Sequence, residues 1–85
     1  MQISDLMNNN GNTQKNVFIA RLNDGTDLLV HYGTPVAAFH KDLGWIKTEK
    51  HWSTVTSKNI NLFLPNKNNV TEVTQAFLDK LLSDV

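Results

Sequence analysis

The chain has 85 residues, with eight Lys plus Arg, eight Asp plus Glu, three His and no Cys. That length permits one domain, and so short a chain buries only roughly 60% of the surface its unfolded form exposes. The missing cysteines exclude disulfide staples, thiolate zinc sites and a cysteine nucleophile, while a formal charge of zero removes any bulk pull toward nucleic acid or an anionic membrane.

Ser4 to Met7 allow a short helix, with Ile3, Leu6 and Met7 at helical spacing. The polar tract Asn8-Asn9-Asn10-Gly11-Asn12-Thr13-Gln14 favours turns and cannot fill a core. Residues 1–15 therefore read as a flexible N-terminal arm, and 16–85 as a single small domain. From Asn16 the pattern turns to β formers. Val17–Leu22 and Leu28–Tyr32 flank Asn23-Asp24-Gly25-Thr26-Asp27, and Asp-Gly between two such runs predicts a hairpin. Gly33-Thr34-Pro35 breaks the ladder, because proline has no N–H to donate. Val36–His40 and Trp45–Thr48, turned by Lys41-Asp42-Leu43-Gly44, supply a third and a fourth strand.

Ser53 or Thr54 can cap a helix over Val55–Leu64 that Pro65 stops. On it Thr56, Ile60, Phe63 and Leu64 share one face, with Thr54, Ser57, Lys58 and Asn61 opposite. Asn59 borders the apolar face, where a buried amide needs a hydrogen-bond partner or costs about 1–3 kcal/mol. Pro65–Asn69 reads as a loop. A second helix is expected from near Thr71, with Val70, Val73, Phe77 and Leu81 in one stripe, Leu78 at its edge and Leu82 outside it. The fold expected is α+β: a four-stranded antiparallel meander over 16–50 with two C-terminal helices packed on one face.

Sites of chemistry are sparse. His31, His40 and His51 lie on separate elements, without the H-x-H, H-x₃-H or H-E-x-x-H spacing of a metal site. The nucleophile elbow G-x-S-x-G and the phosphate-loop G-K-[ST] are absent. Neither a catalytic residue nor a metal or other cofactor is expected. The informative stretch is a slightly basic aromatic band, where Trp45, His51 and Trp52 interleave with Lys47, Lys50 and Lys58. Aromatics beside cations suit single-stranded nucleic acid, and the free N–H groups of a helix start near Ser53 would favour an anion. The competing assignment makes the tryptophans core and the lysines solvated surface.

Tyr32-Gly33-Thr34-Pro35-Val36-Ala37, followed by Trp52-Ser53-Thr54-Val55-Thr56-Ser57-Lys58-Asn59-Ile60-Asn61, resembles a group of short, uncharacterised domains that recur in bacteriophage genomes. Their pattern is a Tyr-x-Thr-x-Val-Ala strand start, then a Trp/Tyr-Ser-x-Thr-Thr-Ser-x-His-Ile-Asn helix. The resemblance covers residues 16–64. It departs at Val55, where the pattern has Thr, and at Asn59, where it has His. It implies a phage source and an accessory role, and no reaction.

The expectation is a phage-type accessory or host-interaction protein that acts by binding a macromolecular partner, as an inhibitor of host machinery or defence. Trp52, Ser53, Thr54, Ser57, Lys58 and Asn61 are the candidate partner-binding residues. The alternative is weak nucleic-acid binding through Lys47, Lys50, His51, Trp52 and Lys58, with Ser53 beside them. A small enzyme is the third reading. Self-association would use the apolar C-terminal helix or the N-terminal arm. No apolar run is long enough to span a bilayer, so a cytoplasmic location in the host is expected, with no membrane partner.

Overall fold

The computed structural model describes residues 2–8, 10–65 and 69–83. It is α+β, with a six-stranded mixed sheet in sequence order and two helices. The strands are β1 (Gln2–Met7), β2 (Thr13–Arg21), β3 (Asp27–His31), β4 (Thr34–His40), β5 (Gly44–Thr48) and β6 (Thr71–Val73). The helices are α1 (Thr54–Phe63), between β5 and β6, and α2 (Gln75–Ser83), at the end. Strands β1 to β5 pair antiparallel in succession, and β6 joins β5 in parallel.

The Asp-Gly hairpin forms as expected. Leu22 N–H donates to the Thr26 carbonyl over 2.8 Å, and Gly25 N–H donates to the Leu22 carbonyl over 3.1 Å. Gly25 supplies the positive φ, 92°. Asp24 Oδ1 accepts the Thr26 N–H at 2.9 Å, a bond that holds the Asp24 carboxyl below its ordinary pKa.

The N-terminal segment differs from the expected arm. Gln2–Met7 is an edge strand on β2, and Leu6 is buried in the core. The register shifts between Asp5 and Met7, so the two-residue alternation breaks there and the helix-like spacing of Ile3 and Leu6 belongs to a bulged strand. The Asn-rich tract closes this hairpin. Asn8 N–H donates to the Asn12 carbonyl, and Asn8 Oδ1 accepts the N–H groups of Asn10 and Asn12. Asn9 lies outside the described residues, as do residues 66–68 of the expected loop.

The helices do not share a face of the sheet. Val17, Leu29 and Ala37 join Ile60 of α1 and its C-cap Leu64 in one apolar cluster. Leu28, Val30, Ala38 and Ile46 join Leu78 of α2 in the other. Side chains alternate across a strand, so Leu28 and Leu29 point oppositely and each helix covers its own face. The unbroken run Leu28-Leu29-Val30 requires this, being apolar on both sides. The second helix also starts later than expected. Thr71–Val73 extends the sheet, and the Thr74 hydroxyl then accepts the Phe77 N–H at 3.2 Å to start α2. Leu81 and Leu82 pack half-buried beside Leu78, so much of their apolar area goes into the second core.

Candidate functional site

The site grows from the start of α1 and the turn between β3 and β4. Ser53 has an extended backbone and its Oγ accepts the Thr56 N–H at 3.1 Å, the bond of an N-cap. Thr56 points inward at one turn's depth. Its Oγ1 lies 3.0 Å from Ser53 Oγ and 3.0 Å from His31 Nδ1. A chain of hydrogen bonds therefore runs from the cap through Thr56 to the end of β3. His31 is buried, and loss of water pushes its pKa below the ordinary value. Its Nε2 is enclosed without a partner among the described residues. Burial thus favours the neutral imidazole, and the bond to Thr56 fixes the ring in the groove wall.

His31 pairs with Thr34, leaving Tyr32 and Gly33 as a two-residue hairpin loop. Both have positive φ, 51° and 76°, as a type I′ turn requires. Glycine adopts this region freely, but a tyrosine there costs about 1–2 kcal/mol. The opposite strand is bent too, with Asn16 at φ 62°. Asn16 carbonyl accepts the Tyr32 N–H at 2.8 Å, and Asn16 Nδ2 donates to the Tyr32 hydroxyl at 2.9 Å. His31 meets the Tyr32 ring edge-to-face at 4.8 Å. The ring is fixed at both ends, yet the residue remains 72% exposed.

Between this turn and α1 lies a groove of about 450 Å³, lined by His31, Tyr32, Thr34, Val36, Trp52, Ser53, Val55 and Thr56. Trp52 forms the outer wall, 42% exposed. Its Nε1–H donates to Gln75 Oε1 at 3.1 Å, and Gln75 Nε2 donates to the Pro35 carbonyl. Lys50 Nζ sits 3.9 Å from the Trp52 ring centroid, a cation–π contact. Val55, 59% exposed, completes an apolar rim. Aromatic walls, a few hydroxyls and no charged side chain suit binding of an uncharged group.

Trp52 and Ser53, expected from the sequence as partner-binding residues, line this groove. Ser57 and Asn61 line a second, smaller one of about 150 Å³ that also holds Lys47, Lys50 and His51. Thr54 and Lys58 are exposed on α1 outside both linings. The second groove sets Glu49 and Glu72 against Lys47 and Lys50, so its formal charges cancel and the basic band is locally neutralised. Asn59 is buried and accepts from Gln14 Nε2 at 2.9 Å, the partner its position demands.

The histidines stand apart. His31 is in the first groove and His51 in the second, while His40 Nδ1 accepts the Asp42 and Leu43 N–H groups of the β4–β5 turn. Among the described residues no group of three His, Cys, Asp or Glu could hold a metal ion. None of their helices is long and apolar enough to cross a membrane. Sequence reasoning missed His31, Tyr32, Thr34, Val36, Val55 and Thr56 as a site. The available signal was Tyr-Gly between two β runs, a bulky residue where Asn or Gly is preferred.

The chain has no match among curated proteins and none among solved structures. A family model matches residues 1–80, a span that takes in β1 and all but the last turn of α2. On that match, the chain belongs to a family of unknown function (DUF8033).

Proposed function

We propose that this chain is a binding module without catalytic activity, and that it grips a protein partner at the groove between the Tyr32-Gly33 turn and the start of α1. The observation that carries this reading is Tyr32: an aromatic residue on the groove lining, 72% exposed on a left-handed backbone. Backbone strain of this kind collects where recognition needs it. Trp52 and Val55 add exposed apolar area to the same rim, and interface anchors are enriched in such aromatics. The resemblance of residues 16–64 to phage domains supports a host protein as the partner, with an inhibitory, accessory role in the host cytoplasm.

Capture from a bacterial lysate tests the reading. The immobilised full chain should retain one species in stoichiometric amount. Val55→Asp should lose it, and Lys58→Glu, outside the groove, should keep it. Equal capture by Val55→Asp would sink the proposal. Tryptophan quenching by an oligonucleotide that weakens steeply with salt would instead favour nucleic acid at Lys47, Lys50 and His51.

A further inference from the structure

We infer that the groove accepts an uncharged aromatic side chain of the protein partner, Trp or Tyr, against the rings of Tyr32 and Trp52. The inference deepens the binding role proposed above and rests on it. Charge decides first: no lining residue is Asp, Glu, Lys or Arg. An incoming Arg, Lys, Asp or Glu would shed water there without meeting a counter-charge. Lys50 does not alter this, since it lines the second groove and is engaged with Trp52.

Among uncharged groups, an aliphatic side chain would suit Val36 and Val55 but leave the Thr34 hydroxyl unused. Tyr32 and Trp52 present aromatic surface to the groove, one Trp52 face being taken by Lys50, and aromatic pairs gain beyond simple area burial. The Thr34 hydroxyl on the lining can pair an indole N–H or a phenol O–H, which a buried Trp or Tyr requires, while Ser53 Oγ is already engaged with Thr56. Size agrees: about 450 Å³ holds one ring system with its flanking backbone and is too small for a folded element. Tyr32 stands at a position that Asn or Gly would occupy with less strain, and its ring is the feature that such a replacement would remove.

An NMR titration of the ¹⁵N-labelled full chain with N-acetyl-tryptophanamide, N-acetyl-leucinamide and N-acetyl-argininamide tests this. The tryptophan amide should give saturable shifts at Tyr32, Thr34, Val55 and Thr56 and at the Trp52 indole. The leucine and arginine amides should bind on the order of tenfold more weakly. Trp52→Ala should weaken the tryptophan amide by a similar factor with the spectrum still dispersed; if that variant unfolds, Val55→Asp serves the same purpose. Equal response to all three amides, no response, or shifts centred elsewhere would overturn the inference. Absence of aromatic preference alongside groove-dependent lysate capture overturns the aromatic anchor alone. Aromatic saturation without groove-dependent capture overturns the binding role.

Discussion

Gln14 Nε2 donates to Asn59 Oδ1 over 2.9 Å, joining the start of β2 to the middle of α1. Asn8 Nδ2 donates to Gln14 Oε1 at 3.2 Å, so the N-terminal hairpin turn is tied to the same helix. Asn59 is 1% exposed, and removing its acceptor leaves Gln14 facing a void. Asn59→Ala should cost about 2 kcal/mol in urea unfolding. A double-mutant cycle with Gln14→Ala should show coupling of at least about 0.5 kcal/mol. Additive costs would mean that the pair contributes no energy of its own.

Tyr32 sits where a type I′ turn favours Asn before Gly. Tyr32→Asn should therefore raise stability by about 0.5–1 kcal/mol, since a ring so exposed returns little packing. The same variant should lose the tryptophan amide. A clear loss of stability would show that the contacts to Asn16 and His31 outweigh the strain.

Much of this fold can be read from local pattern. The Asp24-Gly25 turn, β2 to β5, the Ser53 cap and the inward Thr56 and Ile60 all follow from turn chemistry and periodicity. Two strands do not. A bulge disguises β1 as helical spacing, and β6 is three residues long, its Val73 in helical register with Phe77 and Leu81 of the helix that follows. The opposed helices were written in Leu28-Leu29-Val30, whose unbroken apolar run needs cover on both sides. The groove was legible only in part. Trp52 and Ser53 stand out by composition and capping, whereas His31 and Tyr32 reach the groove through a turn fixed by β3–β4 pairing.

Leu6 separates a strand from a flexible arm. It is 5% exposed and clusters with Val17 and Leu29. Leu6→Ala should cost about 2–4 kcal/mol, measured by thermal or urea unfolding. A residue on a solvated arm would cost nearly nothing when truncated, so a change under about 0.5 kcal/mol would detach β1 from the core.

His31 gives stability a pH dependence with a definite sign. Burial lowers its folded pKa below 6.5, while the unfolded imidazole takes a proton near its ordinary value. Between those two values the unfolded chain binds more protons, so stability is full above about pH 6.5 and falls as pH drops. The slope reaches at most about 1.4 kcal/mol per pH unit and flattens below the folded pKa. Asp24 acts in a separate window, because its lowered carboxyl pKa lies below 3.8 and its contribution is lost only in stronger acid. Urea midpoints at pH 7.5, 6.5, 5.5 and 5.0 should decline in the natural chain. They should stay nearly level over that range in His31→Gln, which keeps a side chain able to bond Thr56. An equal decline in the variant would assign the proton uptake to another group and mean that His31 binds its proton equally in the folded and unfolded chain.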